Sequence, residues 1–237
     1  MIIKVISIAL FSLLSAISGA LSFLYLRFRK AKEESETENE KREKVSLRGI
    51  FDRNTVICIS LFSLLSLVLG VISFDNTTSL LNFYRVAFVF VSAEAIAITD
   101  FKTKIIPNLF VLITLAGGTV FHIVDIIISS KDGQPLERMK AILISNVLIA
   151  VIAVVILCVL SALTHSGMGF GDIKYLGAMC YVGGAGLLLF SLSFALVSSL
   201  VVSIVLIAAK KKGKKDLIPF GPFITFGVVV CIFTGLM

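Results

Sequence analysis

Charged residues are scarce in this sequence. Only 16% of its 237 residues are Asp, Glu, Lys or Arg, whereas 57% are hydrophobic and the mean hydropathy is +1.03. A soluble domain has about a quarter charged residues, so this composition excludes an ordinary soluble globular protein. The sequence therefore predicts an all-α polytopic transmembrane bundle, in which lipid covers most of the apolar surface.

Cysteine is also sparse. The four cysteines stand singly in apolar segments, and none belongs to a C-x-x-C pair: Cys58, Cys158, Cys180 and Cys231. This pattern predicts neither a disulfide framework nor a zinc site. We interpret these cysteines as small buried hydrophobic residues.

Long apolar runs, by contrast, are abundant. A membrane-spanning helix needs about 20 apolar residues. We expect about eight such helices, at residues 5–26, 55–74, 80–99, 106–128, 141–163, 175–189, 191–209 and 217–236. The sixth is short and rich in glycine, which predicts a helix that is tilted, broken or closely packed. The first run ends in the basic sequence RFRK, which favours a retained helix over a cleaved signal peptide.

The basic residues are distributed unevenly between the two predicted sides of the membrane. Seventeen of the 22 Lys and Arg residues fall in residues 27–54, 100–105, 164–174 and 210–216. The positive-inside rule places these segments in the cytoplasm and the N-terminus outside. The net charge of +7 is therefore interpreted as a signal of topology and of contact with the lipid bilayer, not of nucleic-acid binding.

One hydrophilic segment, residues 27–54, divides the chain. We expect an N-terminal helix with a charged cytoplasmic loop at 1–54 and a transmembrane domain at 55–237. The loop lacks aromatic residues in its charged part and is predicted to be a solvated helix extension or a disordered tether.

A few acidic or histidine residues lie within or beside the predicted helices, where an unpaired charge is costly. They are Glu94, Asp100, His122, Asp125, His165 and Asp172. His122 and Asp125 fall near the outer end of the fourth helix, where interfacial water would solvate them. Asp100 closes the third helix and Asp172 opens the sixth, both at the expected cytoplasmic face. Two intervening helices return the chain to the same side, so the topology allows these two side chains to meet.

Two carboxyl groups that share a proton can hydrolyse a peptide bond, because one deprotonates water while the other polarises the carbonyl. Gly169 and Gly171 in the stretch GMGFGD would let an extended peptide approach Asp172 closely. A structural interpretation stays open, in which Asp172 caps a helix and Asp100 is a surface residue. So do a proton- or ion-coupled transporter that uses Glu94 with both aspartates, and a non-catalytic membrane scaffold.

Three ordered blocks occupy the part of the chain at residues 93–224. They are DFKTKIIPN from Asp100, GFGDIKYLGA from Gly169 and IPFGPFI from Ile218. Together they resemble the type IV prepilin peptidases, which are GxGD-type intramembrane aspartic proteases. The resemblance implies catalytic roles for Asp100 and Asp172 and no metal or organic cofactor. It further implies prepilin or pseudopilin substrates, whose basic leader is cleaved at the cytoplasmic face of a prokaryotic inner membrane.

Supporting roles are predicted for further residues of these blocks and their surroundings. Lys174 would orient the substrate or offset the charge of the aspartates, and Pro107 and Asn108 would shape the start of the fourth helix. Glu94 would be a third functional carboxylate or the partner of a polar group in the bundle. Larger bacterial members carry a domain between the first two helices, often with paired cysteines, which is associated with N-methylation. The loop here is short and cysteine-free, so a peptidase without that methyltransferase domain is expected.

Overall fold

The computed structural model describes residues 2–37, 53–76, 79–131, 136–163, 168–209 and 218–235. These residues form seven α-helices: α1 (Ile2–Thr37), α2 (Arg53–Asn76), α3 (Leu80–Thr103), α4 (Asn108–Lys131), α5 (Leu136–Leu163), α6 (Phe170–Ala208) and α7 (Gly221–Thr234). The described ranges contain no strand, which confirms the all-α prediction. His165, the basic segment 210–216 and most of the charged loop lie outside the described residues.

Among the described residues, five helices contain stretches long and apolar enough to cross a bilayer: Ile2–Arg29, Leu80–Thr103, Asn108–Ser130, Lys140–Leu163 and Phe170–Ala208. The predicted spans at 55–74 and 217–236 are also helical, but their apolar parts are shorter, at Ser60–Asp75 and Gly221–Thr234. The 14 residues of α7 extend for about 21 Å, less than the roughly 30 Å thickness of the hydrocarbon core. The prediction of a transmembrane helical bundle is therefore confirmed, with seven described helices where about eight were expected.

The difference in number arises in α6, which contains both predicted spans 175–189 and 191–209. Its 39 residues are interrupted only at Gly184, whose φ of 80° and ψ of 179° lie outside the helical region. A straight helix of this length would extend about 58 Å, nearly twice the hydrocarbon thickness. The backbone at Gly184 therefore forms a kink that divides α6 into two helical parts. The glycine-rich run thus contains a break, which is one of the three possibilities that the sequence predicts: a tilted, broken or closely packed helix.

Helix α3 lies at the centre of the bundle. Its residues from Ser92 to Asp100 are buried throughout. Neighbouring helices make polar contacts with its backbone: Ser18 Oγ in α1 donates to the Val91 carbonyl at 3.0 Å, and Thr225 Oγ1 in α7 donates to the Ala93 carbonyl at 2.8 Å. Because α3 is surrounded, the acidic residue at its end is buried rather than exposed to lipid.

The opposite end of the bundle contains ion pairs. Arg85 near the start of α3 pairs with Asp125 near the end of α4. His122 is buried, and its Nε2 lies 2.9 Å from the carbonyl oxygen of Tyr181 in α6. The expectation of interfacial solvation is therefore wrong for His122, which is buried against α6, whereas Asp125 stays partly exposed and also pairs with Arg85.

Candidate active site

Asp100 and Asp172 lie at the same end of the bundle and line one cavity of about 490 Å³. Asp100 belongs to the last turn of α3 and Asp172 to the first turn of α6. The structure thus brings together the two residues that the topology allows to meet.

The Asp100 carboxyl group is held by the N-terminus of α7. Asp100 is only 5% exposed, and its Oδ2 accepts a hydrogen bond of 2.7 Å from the backbone N–H of Gly221. The first N–H groups of a helix have no partner within the helix, so they are available to a carboxylate. A Cβ at Gly221 would lie 2.9 Å from the Asp100 Cβ and 3.3 Å from the Ile96 carbonyl oxygen. Only glycine therefore permits this approach.

Asp172 is half-buried, and its carboxyl group turns back to the backbone of Gly169, the N-cap residue of α6. A Cβ at Gly169 would lie 2.9 Å from Asp172 Oδ2. The other oxygen, Oδ1, is buried and accepts no hydrogen bond from any described residue. The nearby Gly171 lets the start of α6 pack on Ile106, where a Cβ would lie 3.1 Å from the Ile106 Cβ.

Seven of the eight predicted site residues line the cavity: Asp100, Pro107, Asn108, Gly169, Gly171, Asp172 and Lys174. Lys174 Nζ donates to Asn108 Oδ1 at 3.3 Å and lies 4.7 Å from the centroid of the Phe170 ring. The amino group of Lys174 therefore contacts the start of α4 rather than either aspartate.

Glu94 is the predicted site residue that does not line the cavity. It is fully buried, and its Oε2 accepts a hydrogen bond of 2.7 Å from Ser15 Oγ in α1. Its Oε1 has no hydrogen-bond partner in the described part of the chain. These contacts fit the second of its two predicted roles, as the partner of a polar group within the bundle.

Three residues of the site are absent from the sequence-based predictions. Gly221 lies in the IPFGPFI block, and this motif could have identified it as a site residue. Arg29, from the end of the apolar stretch of α1, and Lys104 also line the cavity. Lys104 follows α3 with φ 53° and ψ 29°, and its N–H donates to the Asp100 carbonyl at 2.7 Å. No signal in the sequence indicates this left-handed backbone, because lysine is an uncommon residue there.

Metal ligands are not grouped in the described residues, where no set of three or more His, Cys, Asp or Glu could hold an ion. Cys180 and Cys231 are buried and Cys158 is partly buried, as expected for small hydrophobic residues. The side chain of Cys58 lies outside the described residues.

The segment that contains both aspartates matches a known family. The family model of the type IV leader peptidases matches residues 86–207, which are just over half of the chain. The chain belongs to the type IV leader peptidase family. This confirms the family predicted from the three sequence blocks. Within the family match lie α4, α5 and most of α3 and α6, whereas Arg29 and Gly221 fall outside it.

A named relative agrees with this assignment. The prepilin leader peptidase/N-methyltransferase of Bacillus subtilis (strain 168) is 26% identical over 150 residues, which are 63% of this chain and 55% of the relative. The match thus covers about half the length of that leader peptidase. No solved structure matches the chain.

Proposed function

We propose that this protein is an aspartic endopeptidase that removes the basic leader from type IV prepilins or pseudopilins at the cytoplasmic face of the membrane. One observation carries the proposal. Asp100 and Asp172, which come from two different helices, line one cavity at one end of a transmembrane bundle. The family and the name of the Bacillus relative support the choice of substrate.

The proposed mechanism uses the two aspartates as a pair that shares one proton. The ionised carboxylate deprotonates a water molecule, whose oxygen attacks the scissile carbonyl while the protonated carboxyl group polarises it. The C–N bond then breaks, and a proton passes to the leaving amine. The N–H of Gly221 orients the Asp100 carboxyl group, and Asp172, which lines the same cavity, would accept the proton of water. The titration belongs to the pair rather than to either residue.

The charges around the cavity support a cytoplasmic location. Arg29, Lys104 and Lys174 line it, and Lys102 is exposed in the last turn of α3. Basic residues concentrate on the cytoplasmic side of membrane proteins. A prepilin has a charged leader in water and an apolar helix in the bilayer, so its scissile bond lies at this boundary. The aspartates would meet the scissile bond there.

The test is cleavage of a co-expressed prepilin, measured by the shift in its gel mobility. We expect Asp100→Asn and Asp172→Asn to abolish cleavage while the protein still inserts into the membrane. Asp75→Asn is the matched control, because Asp75 is an exposed acid that pairs with Lys4 at the far end of the bundle. Full processing by either site variant would refute the proposal.

The transporter alternative gains no comparable support. A relay would need Glu94 in line with the two aspartates, but Glu94 faces Ser15 and does not line the cavity. Along α3 it lies six residues from Asp100, or about 9 Å. Proton or ion flux in vesicles containing the purified protein would revive this alternative.

A further inference from the structure

A second space, which is apolar, lies between α1, α3 and α4. This groove has a volume of about 350 Å³ and is lined by side chains within residues 14–21 of α1, 84–95 of α3 and 110–121 of α4. Helices α1 and α4 both pack on α3, but the Cα atoms of α1 and α4 stay more than 8 Å apart in the described part of the chain. Helix α3 therefore forms the floor of the groove, and α1 and α4 form its walls.

The lining of the groove suits an apolar partner. No charged residue belongs to it. Its three hydroxyl groups, on Ser18, Tyr84 and Ser92, each have a hydrogen-bond partner within the bundle. Leu21 and Ile113 on the two walls are 54% and 46% exposed, so the groove opens towards lipid. A partner therefore enters from the membrane and needs no polar group of its own.

The groove and the cavity of the two aspartates lie along the same three helices. The cavity is lined by Arg29 of α1, Asp100 of α3 and Asn108 of α4, and the groove follows in each helix on the side of the bundle interior. Along α3 the groove extends from Ala95 to Tyr84, which are about 8 and 24 Å from Asp100. This range lies within the roughly 30 Å thickness of the hydrocarbon core.

We propose that this groove binds the apolar helix of the substrate, which is the part of a prepilin that follows the scissile bond. This inference rests on the proposed function. The helix is covalently joined to the scissile bond and stays in the bilayer, so a bond held between Asp100 and Asp172 places the start of the helix at the near end of the groove.

The dimensions of the groove set the register of the bound substrate. About two or three extended residues after the scissile bond would cover the distance from Asp100 to the level of Ala95. On this path they pass the rings of Tyr25 in α1 and Phe110 in α4, whose centroids are 5.5 Å apart. About 11 residues of helix would then follow the groove as far as Tyr84. Side chains on one face of that helix would fill the groove, as in other helix-in-groove complexes.

Lipid acyl chains are the competing occupants. They are as apolar as a leucine side chain, so close packing rather than burial has to favour the helix. The floor of the groove includes Ala87 and Ala95, whose small side chains let another helix approach α3 closely. A helix tethered at the scissile bond also has a high effective concentration at the groove, which a free lipid lacks. The substrate helix therefore displaces lipid while the scissile bond is bound.

Photo-crosslinking tests the contact directly. A benzophenone amino acid replaces Ile17 or Ile113, one on each wall, in the full-length Asp172→Asn variant, which should hold a prepilin without cleaving it. Leu13 and Leu112 are the matched control positions, because each is an exposed apolar residue of the same helix that does not line the groove. We expect covalent adducts with the prepilin from the two wall positions and not from the two controls.

Kinetics test whether this contact contributes to binding. Ile17→Trp and Ile113→Trp partly fill the groove and should raise KM for a prepilin by about three- to tenfold with kcat little changed, because they remove binding that the substrate and the transition state share. KM for a soluble peptide that spans the scissile bond but lacks the apolar helix should stay within about twofold of wild type. Leu13→Trp and Leu112→Trp should leave both KM values unchanged. Where a tryptophan variant does not fold, the crosslinking result decides.

The possible failures are distinguishable. A wild-type protein that cleaves the prepilin, with adducts no stronger at Ile17 and Ile113 than at the controls, would overturn the groove and leave the proposed function intact. Adducts with lipid or with a second copy of the chain in place of the prepilin would also overturn it. If the wild-type protein cleaves no prepilin, the proposed function fails, and the role of the groove fails with it.

Discussion

Replacing Gly221 with alanine tests how the start of α7 controls the carboxyl group of Asp100, which we propose to be catalytic. The added Cβ would lie 2.9 Å from Asp100 Cβ, 3.1 Å from Asp100 Oδ2 and 3.3 Å from the Ile96 carbonyl oxygen. The last is backbone in the buried helix α3, so it cannot move aside easily. Either α7 shifts outward or the Asp100 side chain rotates, and both break the hydrogen bond from Gly221 N–H.

The magnitude follows from that bond. A hydrogen bond to an ionisable group contributes about 1.5–3 kcal/mol, which corresponds to a decrease in kcat of about 10- to 150-fold. The assay is single-turnover cleavage of a prepilin by the purified variant, with membrane insertion checked in parallel. Gly186→Ala is the matched control, because a Cβ at Gly186 meets nothing within 4 Å. A Gly221→Ala variant with kcat within about twofold of wild type would refute this role of Gly221.

Two further predictions concern the interior of the bundle. Glu94→Ala should destabilise the protein by about 1–3 kcal/mol, because it leaves Ser15 Oγ without its acceptor. Glu94→Gln should retain this hydrogen bond. Thermal unfolding in detergent measures the difference in stability between the two variants. Equal melting temperatures of the two variants would contradict this role. Gly184→Ala should cost about 1–3 kcal/mol through its backbone alone, since φ is 80° but a Cβ there meets no atom within 4 Å. A melting temperature equal to that of Gly186→Ala would show that the kink is not needed for stability.

The helical fold could be predicted because a bilayer leaves few choices. Backbone groups in lipid must be satisfied within the segment, so long apolar runs form helices. The third predicted span, 80–99, corresponds closely to α3 at Leu80–Thr103. The division of α6 could not be predicted correctly, because counting 20-residue lengths places two helices wherever an apolar run is long enough. Such a run can form two separate helices or one kinked helix. The outcome depends on the backbone at Gly184 and its packing, which cannot be read from composition.

The aspartate pair could be predicted because topology and motif agree. An even number of intervening helices returns Asp172 to the side of Asp100, and the glycines before it mark a close approach. The partner of Asp100 could not be predicted in this way, because Gly221 is 121 residues away in the chain and the contact depends on how α7 packs. Glu94 is recognisable as a charge out of place, but its partner Ser15 is one of many serines in α1.

The site also depends on helices outside the segment that matches the family. Contacts between apolar side chains do little to fix the position of one membrane helix along the axis of another. Hydrogen bonds between polar groups do fix this position. Ser15 and Ser18 bind Glu94 and the Val91 carbonyl, which fixes α1 along α3. Thr225 binds the Ala93 carbonyl and fixes α7 in the same way.

These polar contacts lie within one short stretch of α3, from Val91 to Glu94, about two turns before Asp100. Because helices are stiff, the position of α1 and α7 at this level determines where their ends lie at the cavity. The α1 contacts place Arg29 at the edge of the cavity, and the α7 contact places the N–H of Gly221 on Asp100. The buried polar residues in the middle of the bundle therefore control the geometry of the carboxyl groups at its end, although none of them lines the cavity.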